Sequence, residues 1–120
     1  MHDAVHTVAS CRASPIVRIA DNQGWLVKRA LDAGAHGILV PMLRSVEDAR
    51  RVVQYAKFPP QGTRGFGSPF AAGAFKTQSR LSDWDYLTHA NNSLLTIVQI
   101  ETQEALDNVI CSMPIILGLG

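Results

Sequence analysis

Residues Ser14–Pro41 read SPIVRIADNQGWLVKRALDAGAHGILVP, a strand, a helix and a second strand in immediate succession. Ser14-Pro15-Ile16-Val17-Arg18-Ile19-Ala20 and His36-Gly37-Ile38-Leu39-Val40-Pro41 carry apolar residues on both faces, as strands covered from above and below do. Between them, Asp21 or Asn22 can cap a helix whose Val27, Ala30, Leu31 and Gly34 fall at i, i+3, i+4 and i+7. Gly34 closes that helix where a left-handed residue is needed, and only a residue or two connect it to the next strand.

The same alternation continues outward. Ser45, with Asp48 three residues on, forms a capping-box pattern opening a helix with Val46, Ala49, Val52, Val53 and Ala56 as its buried stripe. An irregular stretch from Phe58 to about Ser82, rich in Pro and Gly, follows; loops of such length in compact domains are usually functional or disordered. Trp84–Ala90 reads as a short helix stopped by Asn91-Asn92, and Leu94-Leu95-Thr96-Ile97-Val98-Gln99-Ile100 as the most apolar strand. Thr102 caps a helix through Ala105, Leu106 and Val109, and Ile115–Gly120 reads as the start of one more strand. Strand alternating with helix signifies βαβ units and a buried parallel sheet. About four strands are implied, whereas a closed (β/α)₈ barrel has eight and needs roughly 200–250 residues. The chain is an α/β protein, either a small open sheet or a piece of a barrel.

The chain has 120 residues, 47% apolar and 18% charged, enough for one domain at most and a composition that excludes a disordered or collagen-like polymer. Lys and Arg number 11 against 10 Asp and Glu, and no basic cluster exceeds Arg50-Arg51, so nucleic acid is not an expected partner. Cys11 and Cys111 lack any CxxC or zinc-knuckle spacing and read as free thiols. No basic segment precedes an apolar run at the start and no apolar stretch reaches ~18 residues, so neither a leader nor a membrane span is expected, and a cytoplasmic location is.

Gln99 and Glu101 are two apart at the C-terminal end of their strand, hence on one face, at the edge where parallel α/β folds bind ligands. A carboxylate there can hold a hard cation and an amide can orient a substrate oxygen; alternatively, Glu101 is simply a first-turn acid favoured by the helix dipole. Arg18 interrupts an apolar strand, and a buried guanidinium needs an anion: a substrate carboxylate or enolate, or a structural acid such as Asp21 or Asp32. Gly62-Thr63-Arg64-Gly65-Phe66-Gly67 fits neither phosphate-binding glycine pattern. His2-Asp3-Ala4-Val5-His6 mimics a zincin helix with Asp for Glu, but no third ligand is in view. Trp25, Phe66, Phe70 and Trp84 read as packing residues, with Phe66 and Phe70 also placed to wall a substrate.

Pro15–Arg18, Lys28–Gly37, Val40-Pro41-Met42, Pro59–Gly65 and Val98–Val109, in this order, resemble the metal-dependent pyruvate aldolases: 4-hydroxy-2-oxoheptanedioate aldolase, 2-dehydro-3-deoxyglucarate aldolase and the citrate lyase β-type enzymes. The match runs over about residues 3–109, leaving a divergent tail at 110–120. The resemblance implies a partial (β/α)₈ barrel of the phosphoenolpyruvate/pyruvate type, roughly its third to fifth βα units. It implies cleavage of 4-hydroxy-2-oxo acids to pyruvate and an aldehyde, with a divalent cation (magnesium, manganese or cobalt) stabilising the pyruvate enolate. Arg18 maps onto the arginine that holds and polarises the oxo-acid, Gln99 onto its neighbouring glutamine and Glu101 onto the metal-binding glutamate. The family is homo-oligomeric, which implies self-association here too.

The departures point the other way. The family's base-assisting His, in an acidic-His-Gly segment, and its second metal carboxylate, in a Gly-Pro-x-Asp-like turn, have no counterpart in these residues. Ile110–Pro114 also replaces the expected longer helix and linker, as truncation, splicing or a frameshift would produce. An inactive fragment of a carbon–carbon lyase is the first expectation. A non-catalytic α/β module that associates with a partner or an intact aldolase subunit is its rival.

Overall fold

The computed structural model describes residues 1–75 and 82–117. After helix α1 (His2–Ser10) come β1 (Ile16–Arg18), α2 (Gly24–Asp32), β2 (Gly37–Leu43) and α3 (Val46–Ala56). Then follow α4 (Asp83–Ser93), β3 (Leu95–Ile100), α5 (Gln103–Asp107) and α6 (Val109–Leu117). The strands form one parallel sheet in the order β1-β2-β3, with Arg18 level with Leu39 and Leu39 level with Ile97. This is the parallel βαβ arrangement expected from the apolar runs.

One face of the sheet is covered by α2 and α3. Ile38 and Val40 from β2 pack there against Val27, Leu31 and Val52, all at most 1% exposed, with Val17, Val98 and Ile100 at the margins. The opposite face carries Ile16, Arg18 and Leu95 and is open among the described residues.

Local signals explain the helix ends. Ser45 accepts from the Asp48 N–H at 3.1 Å while the Asp48 carboxylate accepts from the Ser45 N–H at 3.2 Å, completing the expected capping box of α3. Thr102 caps α5 through the Ala105 N–H at 3.1 Å. Gly34 has φ +94°, and a Cβ there would lie 2.8 Å from that of Ala74, so the chain can turn out of α2 only at a glycine.

Several expectations need correction. The N-cap of α2 is Gln23, without a side-chain cap; Asp21 instead accepts from the Asn22 and Gln23 nitrogens, so its turn closes on itself before the helix begins. The strand expected over Ser14–Ala20 is only Ile16–Arg18. Ile115–Leu117 belong to α6 rather than to a new strand, and Gly118–Gly120 lie outside the described residues. A short apolar run suits helix and strand alike by periodicity, and Ile115 and Ile116 find their cover by packing against the core beside α3. The described residues therefore contain three strands, not four.

The long connection carries turns at 59–61 and 69–74 with irregular backbone between them, and rests on a second cluster of Phe58, Ala71, Ala72, Tyr86 and Ala90. Its fully buried apolar residues are alanines and Phe58, whereas Trp25, Phe66, Phe70 and Trp84, singled out from sequence, are all exposed, Phe66 and Phe70 touching Phe58 and His2 from the surface. Cys11 and Cys111 are free and exposed. Among the described residues no helix is long and apolar enough to cross a membrane.

Candidate functional site

Arg18 ends β1 and Gln99 lies near the end of β3, two strands away. Both stand on the open face of the sheet, because Val17, Val98 and Ile100 take the core positions and side chains alternate. Arg18 reaches across β2 so that its Nε donates to Gln99 Oε1 at a long 3.4 Å. The guanidinium is exposed rather than buried, and among the described residues it pairs with no carboxylate. Neither acid suggested as a structural partner serves: Asp21 is held by its own turn, and Asp32 pairs with Lys28 and Arg64.

Glu101 follows Ile100 and precedes the N-cap of α5, so it lies outside the helix's first turn. Its Oε2 accepts from the Met42 N–H at 3.0 Å, which ties the end of β3 to the end of β2. Arg18, Gln99 and Glu101 thus occupy one edge of the sheet, at the C-terminal ends of its strands. The donor set suits a hard cation in kind, since a carboxylate and an amide offer oxygen ligands. It is small in number: among the described residues no group of three His, Cys, Asp or Glu side chains could hold a metal ion.

Beside Met42 a cleft of about 450 Å³ opens between the loop after β1 and the start of α3, lined by Asp21, Gln23, Arg44, Asp48 and Tyr55 among others. Asp21 sits below the usual carboxylate range because Gln23 and the Asn22 N–H bond to it. Burial of Asp48 opposes its ionisation, but Arg51 and the Ser45 and Arg44 N–H groups outweigh burial and hold its carboxyl low.

His2 and His6 do lie on α1, but His2 packs edge-on against Phe70 at 5.1 Å, and His6 is half-buried with no hydrogen-bond partner for Nε2 among the described residues. His36 stacks on Phe75 at 4.1 Å and bonds to Ala74 O at 3.0 Å, which is a packing role.

Sequence reasoning missed two groups. Arg64, fully buried in the side chain, donates to Asp32 Oδ1 at 3.0 Å and Tyr86 at 3.1 Å and lies 4.5 Å over the Phe58 ring. Asp32 also accepts from Lys28 at 2.6 Å, and its carbonyl from Ser68 Oγ at 2.6 Å, so the loop is tied to α2. A lone Arg between glycines gives no hint of burial. The other is Met42, whose φ of +54° has no sequence signal, since glycine is the residue expected there.

The sequence profile described as HpcH/HpaI aldolase/citrate lyase matches residues 1–114. The chain is 38% identical over 109 residues to a 4-hydroxy-2-oxo-heptane-1,7-dioate aldolase of Salmonella dublin, covering 88% of this chain and 38% of that enzyme. It is 45% identical over 98 residues to a 2-dehydro-3,6-dideoxy-6-sulfogluconate aldolase of Pseudomonas putida, covering 81% of this chain and 36% of that one. The crystal structure of an HpcH/HpaI aldolase from Desulfitobacterium hafniense DCB-2 superposes with a TM-score of 0.76 at 28% identity, over 97% of this chain and 42% of that one. The chain therefore spans less than half the length of these relatives. A profile match over nearly the whole chain, joined to a parallel sheet that superposes on a solved member, makes this chain a member of the HpcH/HpaI aldolase/citrate lyase family.

Proposed function

We propose that these residues form part of a (β/α)₈ barrel that cleaves 4-hydroxy-2-oxo acids to pyruvate and an aldehyde. The family supports a carbon–carbon lyase. The observation that carries the finer reading is the meeting of Arg18, Gln99 and Glu101 on one strand-end edge, with Arg18 bonded to Gln99 at 3.4 Å.

The chemistry follows from the groups. Retro-aldol cleavage leaves negative charge on the oxo-acid oxygen as the carbon–carbon bond breaks. Arg18, exposed and not spent on a carboxylate, places a fixed positive charge and several N–H donors there. Gln99 accepts from Arg18 through Oε1, which leaves its amide N–H₂ to donate to the substrate carboxylate. Glu101 would hold a divalent cation such as magnesium, manganese or cobalt, which when bound supplies Lewis acidity towards the oxo-acid.

The described residues place no side chain to take the proton from the substrate hydroxyl, a role that typically contributes roughly 10²–10⁴-fold. One carboxylate also leaves most of a cation's shell to water and substrate. Pyruvate and related oxo-acids are thus bound weakly, and this chain alone turns over little or nothing. With no three-ligand cluster among the described residues, the second reading is a non-catalytic α/β module that associates with a partner or an intact aldolase subunit.

The test pairs two measurements on the chain and its Glu101→Ala and Arg18→Ala variants. Manganese binding, followed by water-proton relaxation with and without pyruvate, should be weak, should depend on Glu101, and should lose its pyruvate enhancement without Arg18. Pyruvate release from a 4-hydroxy-2-oxo acid should stay at background. Binding indifferent to Glu101 would remove the metal role, and Glu101-dependent turnover would overturn the claim of inactivity.

A further inference from the structure

We propose that Met42 is a positioning residue whose strained backbone aims its N–H at Glu101 and leaves that carboxylate one oxygen for a cation. This rests on the metal-binding reading of Glu101 given above.

The register of β2 shows the device. Val40 pairs with Val98, but Leu43, not Met42, pairs with Ile100, so β2 carries one extra residue over that interval. Such a bulge reverses the inside-outside alternation: Ile38 and Val40 face the core, and after the extra residue so does Leu43, at 2% exposure. Met42 absorbs the change with φ +54°, a left-handed conformation that a residue bearing a Cβ adopts only at a cost.

Something must repay that strain, and the methionine side chain does not, being 45% exposed. The backbone N–H does. Turned out of the sheet ladder, it meets Glu101 Oε2 at 3.0 Å, a charge-assisted bond of the stronger kind. Glu101 is otherwise an exposed side chain at a strand end, free to sample several rotamers. Among the described residues Oε1 has no hydrogen-bond partner, so the bond selects which oxygen stays open. Carboxylates that ligate metals are commonly held by such an outer bond. Buried Pro41 and Leu43 on either side keep the bulge in place.

The test reads amide hydrogen exchange at position 42 and manganese affinity in the chain and three variants. Glu101→Ala, an exposed substitution, should speed exchange of the amide at position 42 about tenfold or more, as loss of a hydrogen bond to a charged group implies. Met42→Gly tolerates the left-handed conformation and should keep both protection and manganese affinity. Met42→Val, β-branched and ill-suited to positive φ, should lose both by similar factors. Protection that depends on Glu101 in a chain that binds no manganese upholds the positioning and removes only the metal reading. An amide at position 42 that exchanges equally fast with or without Glu101, or a Met42→Val chain that binds manganese as tightly as the parent, overturns the proposal.

Discussion

Arg64 shows how one side chain can organise a loop. It is enclosed by Phe58, Tyr86 and Asp32, and it forms the only link between a buried guanidinium and α2 among the described ion pairs. Burial pushes the Tyr86 phenol up while the Arg64 charge pulls it back, so Tyr86 stays protonated and accepts from Arg64 across the neutral range. Removing one partner of a buried pair strands the other. Arg64→Ala should destabilise the chain by about 3 kcal/mol, at the low end for such breaks because Asp32 keeps Lys28. Urea unfolding followed by circular dichroism measures it; a loss below about 1 kcal/mol would show the loop to be held by its apolar cluster instead. None of this was legible in the sequence, where Arg64 sits in an irregular Gly-rich stretch that fits neither phosphate-binding glycine pattern. The placement of Gln99 and Glu101 at a strand end was legible, because period two puts them on one face without knowledge of any partner, whereas Arg18 joined them only through the family resemblance. The exposure of Arg18 was not legible, since burial of the second sheet face depends on what lies across it.

At the scale of elements, signals confined to three or four residues translated directly into structure. The Ser45–Asp48 box, the Thr102 cap and the Gly34 turn are all present because each is decided by neighbours along the chain. The α2 cap and the Ile115–Leu117 tail were misread because competing local bonds in one case, and an available apolar surface in the other, settled the matter. The α3 cap carries a pH dependence. Asp48 has a folded pKa below its unfolded value, so its contribution is complete above the ordinary aspartate range near ~3.9 and is lost as pH falls through the lower folded value. Asp48→Asn should cost about 1 kcal/mol at neutral pH and flatten the acid limb of the stability curve. Thermal melts at a series of pH values test this, and a variant whose acid limb matches the parent's would assign the acid sensitivity to other carboxylates.

For the molecule as a whole, the sheet has β1 and β3 as its edges among the described residues, and Ile16 and Leu95 stand exposed on its uncovered face. Unpaired strand edges next to apolar surface template association. The isolated chain should therefore sediment with a mass that rises with concentration, and a single monomeric species over the micromolar range would contradict this. Observing such equilibria raises a practical matter of optics. Trp25 and Trp84 are 63% and 76% exposed, so water already surrounds both indoles in the native fold. Their emission is red-shifted before any denaturant is added and has little further to move when the chain opens. Tryptophan fluorescence will therefore be a poor reporter of unfolding in this protein, and will shift mainly when another surface settles over those two rings.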